Sequence, residues 1–179
     1  NPVALYLAAV GIGKLTLVDG DNVDITNLPR QVLFSEEDKA QNKADSAADK
    51  LEQQFPDCEF EAVDEMFDKE LADFYLPQAD IVIDCTDNIQ ARYLINQACV
   101  EHKTPLVIGA AIGFDGQHMV VDPRDEASAC YHCLYPASEK APANNCQTVG
   151  IIGPVLAIIA GMQALQAIKL LTGIDVNYN

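Results

Sequence analysis

Leu15-Thr-Leu-Val-Asp-Gly-Asp-Asn-Val-Asp-Ile-Thr-Asn-Leu-Pro-Arg-Gln31 decides how the rest of the chain is read. Its first half is a β-rich apolar run that ends on the carboxylate of Asp19. Its second half is a polar loop with Asp19, Asp21, Asn27, Arg30 and Gln31 in quick succession. A buried parallel strand that stops at an acid is how a doubly wound sheet presents a carboxylate to a ribose. An arginine just beyond it can hold a phosphate with a planar, bidentate fork. Sugar and phosphate recognition together suggest a nucleotide. The competing reading is an ordinary polar loop with a surface arginine.

Outward from that stretch, residues 14–19 read as a strand apolar on both faces, as a parallel sheet requires. Before it, residues 2–10 read as a helix that Asn1 can cap, with Pro2 in the first turn and Gly11 at the end. After it, Ser35-Glu-Glu-Asp38 resembles a helix start. The spacing of Ala44, Ala47, Ala48, Leu51 and Phe55 predicts an amphipathic helix from Lys43, closed by Pro56. Residues 58–63 alternate as an edge-like strand, and 68–76 form a short helix. Residues 80–85 are another buried strand, 89–102 a helix broken before Pro105, and 106–110 a further strand. Phe114-Asp-Gly-Gln117 carries a hairpin turn signal. Residues 137–147 are loop-like, and a final helix runs from about 154 to 171 with Gly173 as its stop. The alternation of strands and helices predicts an α/β parallel sheet.

The composition narrows the function. The chain has 179 residues, 49% of them hydrophobic, enough for one domain with a real core. Its net charge is −16, from 27 acids against 11 bases, which argues against nucleic acid and against a polybasic membrane surface. No stretch reads as a signal or transit peptide. Residues 151–171 are strongly apolar, but Gln163, Gln166 and Lys169 interrupt them, so the segment reads as a buried or interfacial helix of a soluble protein. Six cysteines without a secretory signal point to a reducing, cytoplasmic compartment.

Several residue groups carry candidate chemistry. Lys43 opens a helix, where the dipole disfavours a cation unless an anionic ligand offsets it; a solvated lysine is the plainer reading. Asp84-Cys-Thr-Asp-Asn88 sits where a parallel strand gives way to a helix, the position at which open α/β sheets bind ligands. Asp87 there is either a Mg²⁺ ligand or, like Asn88, a helix cap. Cys130-Tyr-His-Cys133 is half of a structural zinc site, or a reduced pair without metal. Cys146 in a loop is a candidate nucleophile. Cys58, Cys85 and Cys99 read as core.

Taken together these strings resemble the ThiF/MoeB/HesA adenylyltransferases, kin of the ubiquitin-activating enzymes. The matching pieces are Asn1-Pro-Val-Ala, Leu17-Val-Asp-Gly-Asp21, Thr26-Asn-Leu-Pro-Arg-Gln31, Lys43, Asp84-Cys-Thr-Asp-Asn88, Cys130-Tyr-His-Cys133 followed by Leu-Tyr-Pro, and Cys146 before Gly150-Ile-Ile-Gly-Pro154. The resemblance implies a doubly wound, Rossmann-like, mostly parallel sheet with helices on both faces and a β-hairpin extension. It implies that Asp21 holds the ATP ribose, that Asn27, Arg30 and Lys43 grip the phosphates, and that Asp87 positions Mg²⁺. Asp19, Thr26, Gln31 and Asn88 complete the expected nucleotide contacts. The implied partner is a ubiquitin-like sulfur carrier ending in Gly-Gly, and the implied assembly is a homodimer. The surroundings of Cys146 look most like ThiF, where the equivalent cysteine joins the carrier in sulfur transfer for thiamine biosynthesis; a MoeB-like molybdopterin role is the alternative. A nicotinamide-dependent dehydrogenase and a non-catalytic carrier-binding scaffold are the competing classes.

The same resemblance places a strand and a glycine-rich phosphate loop before Asn1, and a second Cys-x-x-Cys and further strands after Asn179. Residues 1–179 then read as a single ATP-binding domain lacking both ends. The expectation is that these residues alone are poorly stable, bind ATP weakly and hold zinc poorly, with Cys130 and Cys133 short of partners.

Overall fold

The computed structural model describes residues 1–136 and 150–176. The predicted loop at 137–147 and Cys146 lie outside the described residues. The chain divides into two compact units, Asn1–Phe67 and Asp68–Asn179.

The first unit opens with α1 (Pro2–Ala9) and β1 (Lys14–Val18), and continues through 3-10 turns at Ile25–Asn27 and Glu36–Asp38 to α2 (Lys43–Gln54) and β2 (Glu59–Val63). β1 and β2 pair in parallel, from Lys14 opposite Glu59 to Val18 opposite Val63. The Asp19 amide extends the ladder by donating to the Val63 carbonyl at 3.1 Å. The predicted periodicity of α2 is borne out: Ala44, Ala47 and Leu51 are buried, and Leu51 meets Ala4 and Ala8 of α1. Leu15, Leu17 and Phe60 of the strands pack on that cluster, although β1 itself is half-buried rather than fully enclosed.

Two local expectations for this unit change. Asn1 does not cap α1 with its side chain; its Oδ1 instead accepts the Leu33 amide at 2.8 Å, tying the loop before α2 to the start of the chain. Ser35-Glu-Glu-Asp38 makes one 3-10 turn and stops. Asp38 closes a capping box on Ser35, but Lys39 is extended and Ala40 has φ of +68°, so the helix cannot propagate.

The second unit holds α3 (Lys69–Tyr75), a 3-10 turn at Leu76–Gln78, β3 (Val82–Asp84), α4 (Ile89–His102), β4 (Leu106–Ile112), β5 (Asp115–Val121), α5 (Tyr131–Leu134) and α6 (Gly153–Thr172). β3 pairs in parallel with β4, and β4 pairs antiparallel with β5. The core of this unit is built on Leu106, Val107 and Ile108 of β4 and Met119, Val120 and Val121 of β5, all buried. The predicted hairpin exists, but its turn is displaced. Ile112 faces Asp115, so Gly113-Phe114 is the two-residue loop, and Gly113 supplies φ of +57° at its first position. The Asp-Gly pair lies in β5 instead, because a Cβ on Gly116 would strike the Ile159 side chain of α6.

Helix α6 spans 20 residues and is long and apolar enough to cross a membrane by length and composition, yet it packs on β4 and β5. Ile159, Ala160, Gln163, Ala164 and Ala167 form its buried side, while Ile158, Met162 and Leu165 are open. The helix is therefore buried on one side only, and Gly173 ends it in the left-handed conformation.

Candidate functional site

In the first unit the candidate residues fall into two hydrogen-bonded groups. The first lies at the carboxyl end of β1. Asp19 Oδ1 accepts the Asp21 amide at 3.0 Å, and Asp21 Oδ2 lies 2.9 Å from Lys43 Nζ. The Lys43 amide donates to the Asp21 carbonyl at 2.9 Å. Asn42 makes this possible: its Oδ1 caps α2 through the amides of Ala44 and Asp45, and its Nδ2 donates to the carbonyls of Asp19 and Asp21. One side chain thus aligns the helix start with the strand end. Burial raises the Asp19 carboxyl above its usual value, although the Asp21 amide and the Lys43 charge oppose the shift.

The second group is the loop after the strand. Asp24 accepts both the amide and hydroxyl of Thr26, and Asn27 Oδ1 accepts the Asp24 amide at 3.3 Å in a reciprocal capping box. The Thr26 hydrogen bonds, aided by the Lys39 and Lys43 charges, hold the Asp24 carboxyl below its usual range. Arg30 Nη1 donates to the Thr26 carbonyl at 2.8 Å. Gln31 donates its amide to the Asn27 carbonyl and has a buried Oε1 without a hydrogen-bond partner among the described residues. The sequence reading missed Asn42, although an asparagine directly before an apolar-periodic run is an N-cap signature.

In the second unit, Asp87 and Asn88 follow β3. Asn88 Oδ1 accepts the amides of Gln90 and Ala91 and caps α4, so the cap falls to Asn88, and Asp87 is exposed beside it. The loop is fixed from behind. Asp84 is 1% exposed, accepts the Thr86 amide and hydroxyl, and pairs with Arg92 at 2.9 Å. Gln163 Nε2 donates to the Asp84 carbonyl at 2.8 Å. Gly109 leaves the space that the Gln163 amide fills. Arg92 was not singled out from sequence, and Gln163 only as a polar break in the apolar run of the last helix. The available signal for Arg92 was its place, with Asn96 and Cys99, on the buried stripe of α4. The core reading of Cys85 is corrected: Cys58 and Cys99 are buried, but Cys85 is exposed where β3 ends after three residues. Burial pushes the Cys99 thiol up to about 12.

Cys130 and Cys133 lie with Sγ atoms 3.1 Å apart at the start of α5. Burial alone would raise the Cys130 thiol, but hydrogen bonds from Cys133 and Asn96 outweigh it and leave it lowered. Among the described residues no third histidine, cysteine or acid joins them as a metal ligand.

The ThiF family pattern spans residues 1–179. The chain belongs to the ThiF family. Over 175 residues, 98% of its length, this ThiF-family chain is 44% identical to the sulfur carrier protein ThiS adenylyltransferase of Escherichia coli K12, of which it covers 69%. It is 41% identical over 96% of its length to the adenylyltransferase and sulfurtransferase MOCS3 of Drosophila sechellia, of which it covers 38%. Among solved structures it superposes on E. coli MccB with ATP at a TM-score of 0.81, with 26% identity over 97% of this chain and 53% of that one. MccB with MccA-N7isoAsn gives a TM-score of 0.82 at 23% identity and places the ThiF-family chain in a Rossmann-like α/β fold. The chain thus spans about half the length of the solved structures it matches.

Proposed function

We propose that this chain is the ATP-using part of an adenylyltransferase that activates the C-terminal glycine carboxylate of a ThiS-like sulfur carrier. The observation that carries the reading is the interlocked group of Asp19, Asp21, Asn42 and Lys43 at the carboxyl end of a parallel strand, in a chain 44% identical to a ThiS adenylyltransferase. A nicotinamide dehydrogenase would use the strand-end acid, but has no need of Arg30 or of the cysteine pair. The 26% identity to an MccB solved with ATP also favours ATP.

In the proposed reaction a carrier carboxylate oxygen attacks the α-phosphorus of ATP. The bond from that phosphorus to the bridging oxygen breaks, pyrophosphate leaves with the electron pair, and the carrier acyl-adenylate remains. The protein contributes positioning and charge neutralisation. Asp21 would accept from the ribose hydroxyls, with Asp19, Thr26, Gln31 and Asn88 lining the nucleotide. Asn27, Arg30 and Lys43 would hold phosphate oxygens, Arg30 through its fork and Lys43 as a point charge. The exposed Asp87 carboxylate, free of capping duty, suits Mg²⁺, which takes one or two carboxylates together with phosphate oxygens and water. Such an ion would neutralise charge on the leaving pyrophosphate.

Cys146 would act after adenylation, in sulfur transfer, as in thiamine biosynthesis; molybdopterin-type sulfur transfer is the alternative, in line with the MOCS3 match. Cys130 and Cys133 would supply two of the four ligands that structural zinc requires. The open apolar side of α6 is consistent with a homodimer, and the acidic, cysteine-bearing composition with a cytoplasmic enzyme.

Nucleotide-dependent melting of the full-length protein tests the class. Mg·ATP should raise the melting temperature and NAD should not. A shift with NAD and none with ATP would overturn the reading.

A further inference from the structure

A buried ion pair stands behind the loop that presents Asp87. Arg92 is 8% exposed at the end of the first turn of α4. Its Nε donates to Asp84 Oδ2 at 2.9 Å, and its Nη2 donates to the Thr86 carbonyl at 2.6 Å and the Gly109 carbonyl at 3.4 Å. The other carboxylate oxygen of Asp84 accepts the Thr86 amide at 2.8 Å and the Thr86 hydroxyl at 2.7 Å. Thr86 is thereby gripped at its amide, hydroxyl and carbonyl, and Asp87 is the next residue. The far side of the guanidinium is closed by the ring of Tyr131, whose centroid is 5.8 Å from Arg92 Cζ. Tyr131 is itself anchored, its amide donating to Asn96 Oδ1 at 2.8 Å.

Stability alone does not account for this arrangement. Burying an arginine and an aspartate costs desolvation free energy that their attraction roughly repays, and apolar residues of similar volume often serve the fold as well. An apolar pair would lack any hold on the peptide between Thr86 and Asp87. We propose that Arg92 is a positioning residue for Asp87: through Asp84 and the Thr86 carbonyl it fixes the direction in which the Asp87 carboxylate meets magnesium. The proposal rests on the reading of Asp87 as the Mg²⁺-binding carboxylate. Arg92 itself touches neither metal nor nucleotide in this role. Lysine is no substitute, because one ammonium cannot reproduce the planar fork that spans Asp84 and Thr86 together.

The test is the Mg²⁺ dependence of ATP–pyrophosphate exchange by the full-length protein, with melting temperature measured alongside. Three variants are compared with wild type: Arg92→Lys, Asp87→Asn, and the double variant Asp84→Leu with Arg92→Met. The double variant removes both buried charges and is expected to fold. Loss of an outer partner typically weakens a metal site by about 10- to 100-fold, so half-saturating Mg²⁺ should rise by at least roughly tenfold in Arg92→Lys and in the double variant. Most of the maximal rate should return at high Mg²⁺. Wild-type Mg²⁺ dependence in either variant, if folded, overturns the positioning role while a shifted Asp87→Asn upholds the metal reading. Wild-type Mg²⁺ dependence in Asp87→Asn overturns that reading and the proposal with it.

Discussion

Lys43 Nζ lies 2.9 Å from Asp21 Oδ2, with the lysine side chain 13% exposed and the aspartate 63% exposed. The residue proposed for the phosphates and the one proposed for the ribose thus neutralise one another before any nucleotide arrives. The pair keeps the Lys43 ammonium at the strand end, where the N-terminus of α2 would otherwise repel it.

An ion pair with one partner this exposed contributes about 0–1 kcal/mol. Lys43→Ala should therefore lower the melting temperature by only about 4 °C or less in a domain of this size. The adenylation rate should fall by about 100-fold or more, because a charge acting on the reacting phosphates is lost. Paired melting and exchange assays check this, and a near-wild-type rate would remove Lys43 from the site.

Arg30 makes a sharper case. Its guanidinium donates to the Thr26 carbonyl, within its own loop. Arg30→Ala should leave folding within about 1 kcal/mol of wild type, the worth of one half-exposed hydrogen bond. Exchange activity should drop by about 100-fold or more, as expected for losing a bidentate phosphate contact. Denaturant melts and exchange rates on the same preparation separate the two effects.

Asp19 carries a cost to stability. Burial raises its carboxyl above the usual 3.8, so the folded state binds its proton more tightly than the unfolded chain does. The favourable contribution is complete below the unfolded value and is lost as pH rises through the folded one. Asp19→Asn keeps an oxygen for the Asp21 amide and removes the buried charge. It should raise the melting temperature at pH 7 and make little difference near pH 3. A stabilisation independent of pH, or a loss at neutral pH, would contradict this account.

The opposite sign applies to His118 on β5. Its Nε2 is buried without a hydrogen-bond partner among the described residues, and burial lowers its pKa from 6.5. The unfolded chain then takes up a proton before the folded one does. The stability present above the unfolded value is lost as pH falls through it towards the folded value. His118→Phe should flatten the decline in melting temperature between pH 7 and 5. An unchanged slope would assign the acid sensitivity elsewhere.

The extent to which the sequence disclosed this molecule follows from the range of each interaction. Helix α2 was legible because an apolar stripe repeats over a few residues, and the start of α4 because a cap acts locally, with Asn88 one of the two candidates read there. The Gly173 stop of α6 was legible for the same reason. The hairpin was found but its turn misplaced, because Gly116 answers to Ile159 some forty residues away rather than to its own turn. Cys85 was misread because β3 ends a residue earlier than its apolar run suggests. Asp21, Arg30, Lys43 and Asp87 were named from local pattern and family resemblance together. Asn42 and Gln163, which help hold those segments in place, act across sequence separations of 23 and 79 residues and leave only faint local marks. Arg92 reaches Thr86 and Asp84 only 6 and 8 residues away, but a charged residue within a helix does not by itself show that it is buried.

The central claim is adenylation of a ubiquitin-like carrier, and ATP–pyrophosphate exchange with the full-length protein tests it most directly. Labelled pyrophosphate should enter ATP only when Mg²⁺ and a carrier ending in Gly-Gly are both present. Exchange should vanish with a carrier lacking its last glycine. Exchange that proceeds equally well without the carrier, or no exchange with any Gly-Gly carrier despite tight ATP binding, would contradict the account.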